Sequence, residues 1–163
     1  MKAMSSFDVL TLACAIGGGV IAGFFFAFSF SVMQALGKLP PAQGIAAMQS
    51  INVVVINPVF LTLFFGTAAL CIAAAVGAFV RWHAPGAAWV LAGAVFYVVG
   101  TIVVTMVFNV PRNNALAAVE PSSAAGADLW AAYLTVWTRW NHVRMFASLA
   151  ATVAFTIAFR IRL

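Results

Sequence analysis

Long apolar runs broken by short polar knots form the pattern along this chain. The first run, Phe7 to Leu36, carries no charge after Asp8, and Ser5-Ser6-Phe7-Asp8 resembles a helix capping box at its start. It predicts a first membrane span that is retained as an anchor, because it far exceeds the roughly 7–15 apolar residues of a signal-peptide core. Lys38-Leu39-Pro40-Pro41 breaks that helix, and Ala42 to Ile56 predicts a further helix, with Met48, Ile51 and Val55 on one side, lying in the interface or kinking into the next span. Asn57-Pro58 supplies an N-cap and a first helical residue for a second span reaching Val80. The turn Arg81-Trp82-His83-Ala84-Pro85-Gly86 is short enough to make the second and third spans antiparallel neighbours, the third covering 87–108. At Asn109-Val110-Pro111-Arg112-Asn113-Asn114, Pro111 predicts a stop or kink, and Ala115 to Ala127 reads as an irregular loop or lid. Asp128 is the expected cap of a last helix, whose later part spans the membrane over 141–159. Gly17, Gly18, Gly19 and Gly23 include a Gly-x-x-x-Gly step, and Gly93 and Gly100 lie one heptad apart, so both helices carry small-residue surfaces for close packing.

Composition turns this pattern into a class. Of the 163 residues 65% are hydrophobic and 7% charged, far from the roughly 25% charge of soluble domains. The fold class expected is all-α, a single four-helix transmembrane bundle over 1–163 with an additional interfacial or kinked helical segment before helix two, and its partner is the lipid bilayer. The net charge of +5 comes from eight basic against three acidic residues, too scattered for a nucleic-acid surface. Cys14 and Cys71 fall inside apolar runs and read as small core residues. Four spans place both termini on one side, with Lys2, Arg81, Arg160 and Arg162 there and Lys38, Arg112, Arg139 and Arg144 opposite, so the positive-inside rule is tied. Reserving Arg112 and Arg144 for a site breaks the tie toward cytoplasmic termini. The Gly-x-x-x-Gly step permits a homo-oligomer without demanding one.

Candidate chemistry gathers in Trp137-Thr138-Arg139-Trp140-Asn141-His142-Val143-Arg144. On a helix, Trp130, Tyr133, Trp137, Trp140 and Arg144 recur at steps of three and four, with Asn141 and His142 beside that stripe. Alternating spans bring Asn52 and Asn57, then Asn109, Arg112, Asn113 and Asn114, then Asn141, His142 and Arg144, to one membrane face. Such polar residues act either as helix-packing glue or as the wall of a pocket. As a pocket, the cluster offers Arg112 and Arg144 to an anionic or enolisable ligand, and Trp137, Trp140 and Phe108 as flat walls. His142 is the candidate general base, removing a proton from a carbon acid while Arg or Asn stabilises the oxyanion. His83 and His142 fall at opposite faces, which argues against bis-His haem. No metal-spaced cluster occurs, although one imidazole beside several amides leaves a weak metal site open.

Over nearly its whole length the chain resembles the anthrone oxygenase-like family of small four-helix membrane proteins, long catalogued as a domain of unknown function. The resemblance rests on Gly23-Phe24-Phe25-Phe26-Ala27-Phe28-Ser29, on Met48 to Asn52 with Asn57-Pro58, on Val107-Phe108-Asn109-Val110-Pro111-Arg112-Asn113, and on Trp137 through Arg144. The Ala/Gly/Val-rich composition resembles that of bacterial members, which implies an inner-membrane location. Fungal polyketide-pathway members of the family oxygenate an anthrone to an anthraquinone with O₂ and no organic cofactor. Carried here, the resemblance implies O₂ as co-substrate, His142 as base, Arg112 and Arg144 on the enolate, and Asn109, Asn113 and Asn141 positioning oxygens. The alternative is a non-enzymatic membrane protein binding a lipid, quinone or small hydrophobic anion through the same residues; a third reading makes the cluster purely structural.

Overall fold

A computed structural model describes residues 4–161. Lys2 and Arg162, counted above for orientation, lie outside the described residues. The chain forms an all-α bundle of five helices: α1 Ser6–Gly37, α2 Pro41–Val54, α3 Pro58–Val80, α4 Ala87–Ala117 and α5 Ala124–Ile161. All but α2 are long and apolar enough to cross a membrane, so the protein is an integral, multi-pass membrane protein.

Local signals set most boundaries. Ser5 caps α1, its Oγ accepting from Asp8 N while an Asp8 carboxylate oxygen accepts from Ser5 N, the reciprocal capping box expected. Asn57 caps α3, accepting from Phe60 N at 3.0 Å and donating to Val54 O, which ties α3 to the end of α2. Two expectations fail. Pro111 does not end the third span: α4 continues to Ala117 after π-helical turns over Val98–Val103 and Thr105–Asn109. Those wide turns place Pro111 in the first turn of the segment that follows, where its missing N–H is tolerated. Nor is Asp128 the last cap, because Ser123 Oγ accepts from Gly126 N at 3.0 Å and α5 begins at Ala124. The expected loop over 115–127 shrinks accordingly to the few residues between Ala117 and Ala124.

The four spans pack in the ring α1, α3, α4, α5, with α1 against α5 the most extensive pair. Glycine lets the backbones approach. A Cβ on Gly93 would stand 2.9 Å from the Phe155 ring, one on Gly18 2.9 Å from Thr152 Oγ1, and Gly17 and Gly100 are as tight against Thr67 and Ala147. Gly23, the second member of the Gly-x-x-x-Gly step, faces open space.

A second core caps one end of the bundle. There α2 lies across the end of α1, the last turns of α4 and the start of α5, burying Ile45, Met48, Leu116, Trp130, Tyr133 and Trp137. Gln49 holds it down by donating to the carbonyls of Leu116 and Val119 at the end of α4.

Candidate functional site

Beneath this cap the bundle opens into a cavity of about 640 Å³, within the roughly 300–1,000 Å³ of small-molecule sites. Its walls are mostly apolar, with an aromatic group of Phe24, Phe25 and Phe28 from α1, Phe60, Phe64 and Phe65 from α3, and Trp137 from α5. Gln49 and Asn52 of α2, Thr105, Asn113 and Asn114 of α4, and Arg144 of α5 supply the polar lining.

Sequence periodicity explains the α5 wall. Trp130, Tyr133 and Trp137 follow one another at three- and four-residue steps and stack, with ring centroids 5.5 and 5.9 Å apart. Arg144 continues the line two turns on. Its guanidinium lies 4.2 Å from the Phe25 ring centroid and 5.1 Å from that of Trp137, and the residue is 4% exposed. Nη2 donates to Asn141 Oδ1 at 2.7 Å and Nη1 to Thr105 Oγ1 at 3.3 Å, both neutral groups.

The three carboxylates of the chain are remote. Asp128 precedes Arg144 by four turns and more of the same helix, roughly 24 Å. Glu120 lies further back, and Asp8 is separated by a similar length of α1 from the Phe25 that touches the guanidinium. A buried cation near membrane depth held by two neutral hydrogen bonds and two aromatic faces is poised to receive an anion.

Asn141 fixes that cation. Fully buried, it donates through Nδ2 to Phe25 O and Ser29 Oγ, both at 2.8 Å, so α1 orients the amide that orients the guanidinium. The π-helical turn at Phe28–Val32 carries Ser29, and the one at Thr105–Asn109 carries Thr105, so two wide turns flank the arginine. On the cap side, Asn113 Oδ1 accepts from Tyr133 Oη at 2.8 Å and Trp137 Nε1 at 2.7 Å. Two buried donors of the lining, Arg144 Nε and Asn52 Nδ2, make no well-formed hydrogen bond among the described residues, Asn52 lying beside the Tyr133 hydroxyl. Leaving each unmade costs about 1–3 kcal/mol, which a ligand oxygen would recover.

Of the residues expected at the site, the structure brings Asn52, Asn113, Trp137 and Arg144 together around the cavity, with Asn114. Asn141 stands directly behind it, and fully buried Asn109 donates to Trp137 O at 3.2 Å. Four others lie elsewhere. Asn57 is the α3 cap. Trp140 stacks on Phe108 with centroids 3.6 Å apart, bracing α5 against α4 outside the lining. Arg112 donates to the Phe108 carbonyl of its own helix. His142 packs on Phe30, 5.5 Å between centroids, and does not line the cavity. The reason is helical geometry: residues two apart are turned by about 200°, so His142 and Arg144 cannot share an inner face.

The phenylalanines were the missed component. Their signal was present in the clustering of Phe24, Phe25 and Phe28 near the end of the first span and Phe60, Phe64 and Phe65 near the start of the second, ends that antiparallel spans bring together. Among the described residues no three His, Cys, Asp or Glu side chains gather as a metal site.

A family model described as Anthrone oxygenase matches residues 60–154, more than half of the chain, from the cavity residue Phe60 past Arg144. No curated protein and no solved structure matches the chain.

Proposed function

The chain belongs to the anthrone oxygenase family, and from that premise we propose that it is a membrane-embedded oxygenase acting on an anthrone-like or similarly enolisable aromatic ketone, with O₂ as co-substrate and no organic cofactor. One observation carries the reading: Arg144, a buried cation remote from the three side-chain carboxylates, ends an apolar, aromatic-rich cavity of about 640 Å³. The phenylalanines and Trp137 clamp the flat ring system, and Arg144 holds the ketone oxygen where negative charge develops on loss of a proton from the methylene carbon across the central ring, which is conjugated with that oxygen. Asn52 donates to a second oxygen of the ligand.

The chemistry balances without a further reductant. The enolate carbon gives two electrons to O₂ and forms a C–O bond, yielding a hydroperoxide once the peroxide oxygen is protonated. Loss of the remaining hydrogen on that carbon, with cleavage of the O–O bond, leaves a new ketone and water. Arg144 lowers the cost of the first anion and faces the oxygen again as the quinone forms. The C–H proton passes to water at the interfacial rim near Asn114, and His142, on the far side of α5, takes no part.

We also place the protein in the bacterial inner membrane with both termini cytoplasmic. With only Arg144 assigned to the site, four basic residues remain on the terminal side, Lys2, Arg81, Arg160 and Arg162, against Lys38, Arg112 and Arg139 opposite.

Oxygen uptake with a hydroxyanthrone tests the reaction, run beside Arg144→Gln and empty detergent because anthrones autoxidise. Uptake above background in wild type, with quinone formed in step with O₂ consumed, is the expected result. Equal rates in all three samples would reduce the protein to a binder of hydrophobic anions.

A further inference from the structure

The exposed residues of the cavity lining are of two kinds. Lining residues Phe65 of α3 and Met106 of α4 are 47% and 51% exposed, on neighbouring spans whose outer faces meet lipid. Seven residues inside the start of α3, Phe65 lies roughly 10 Å along the helix, at the depth of acyl chains. Val53 and Ile56, 73% and 69% exposed where α2 leads into α3, continue the same apolar rim. The others are Asn114 and Ala117, exposed on the last turns of α4 beneath α2.

Packing along α3 is uneven. At Gly77 a Cβ would meet the Phe7 ring at 2.5 Å, whereas at Gly66, beside Phe65, it would meet nothing within 4 Å. Around Phe65 the helix is still tied to its neighbours, Tyr97 Oη of α4 donating to Phe64 O at 3.1 Å and Thr67 packing on Gly17 of α1, so the opening at Gly66 is local.

We propose that the substrate enters sideways from the bilayer, an uncharged planar aromatic ketone passing between Phe65 and Met106. This deepens the reading of the cavity as a substrate site and rests on it. An uncharged ketone partitions into the leaflet and needs no polar path. Its charge develops only at Arg144, beyond the apolar slot, and the separate rim at Asn114 serves water and the departing proton. The slot thus selects for compounds dissolved in the membrane.

Binding, read apart from turnover, tests the route. The protein in phosphatidylcholine vesicles is mixed with anthraquinone, and the quenching of tryptophan fluorescence that disappears in Trp137→Phe is followed in time. Met106→Cys is then blocked with benzyl methanethiosulfonate and reopened with dithiothreitol; Cys14 and Cys71 are 0% exposed. The expected result is an onset slowed about tenfold or more by the block and restored on reduction. It should also follow anthraquinone per lipid and not its concentration in water. An unchanged onset in the blocked protein, or one that tracks the aqueous concentration as lipid is added, overturns lateral entry. Slot-dependent quenching without any oxygen uptake would leave the route standing and sink the enzyme reading. Quenching that is absent throughout would sink both.

Discussion

The two ends of the bundle are built on opposite rules. Toward the chain termini Gly17, Gly18 and Gly93 let helices meet at the distance of a missing Cβ, with Thr67, Thr152 and Phe155 filling the spaces. Toward the α2 cap the same helices carry Phe24, Phe25, Phe28 and Phe64, turn π-helical at Phe28–Val32 and Thr105–Asn109, and stand apart around a cavity. Small residues close a membrane bundle because close approach is what holds helices together in lipid. Bulky aromatics with a buried cation among them keep it open. The tight end serves as the foundation of the open end, so substitutions should separate stability from activity according to which end they touch.

The largest effect is expected at the open end. Arg144→Gln should lower turnover about a hundredfold to a thousandfold, the usual loss for a group that stabilises an oxyanion, with far-UV circular dichroism unchanged. Retained turnover would remove the arginine from the chemistry. At the tight end, Gly93→Val should cost about 1–3 kcal/mol by pressing on Phe155, measured by denaturant unfolding in mixed micelles, while turnover per folded molecule holds. A drop in specific activity equal to that of Arg144→Gln would deny the division of labour. Asn57→Ala sits between the ends. Loss of the α3 cap should destabilise by about 1 kcal/mol and loosen the start of α3, raising the Michaelis constant more than it lowers kcat. The smallest effect is expected at His142→Gln, within about 0.5 kcal/mol in stability and about twofold in turnover. A large fall in kcat there would return the histidine to the role of base.

Much of the frame was legible because it rests on local signals. The Ser5–Asp8 capping box, the Asn57-Pro58 start and the Gly93–Gly100 stripe each depend on residues close in sequence, and each appears in the structure with that function. Pro111 misled because a proline stops a helix only where the preceding turn cannot widen, and here two π-helical stretches precede it. Asp128 misled because Ser123, five residues earlier, caps first and the Trp stripe extends the helix back to it. The polar convergence was readable from alternating spans, and it drew Asn52, Asn113, Asn114, Trp137 and Arg144 to one cavity. Which side of α5 each residue takes demanded stricter use of the helical period, and His142 is the residue on which that was lost. The aromatic wall needed the pairing of α1 with α3, a contact between residues some forty positions apart such as Phe24 and Phe60, 4.9 Å between centroids.

The central claim, that Arg144 stabilises negative charge on an aromatic oxygen inside the cavity, is tested most directly by the absorption spectrum of a bound dihydroxyanthraquinone. The neutral and phenolate forms of such a dye differ in colour, and the spectrum reports the charge of the ligand inside the protein. At a pH where the free dye in detergent is neutral, the wild-type complex should show the phenolate band and the Arg144→Gln complex should not. A neutral spectrum in both, with equal affinity, would contradict the account.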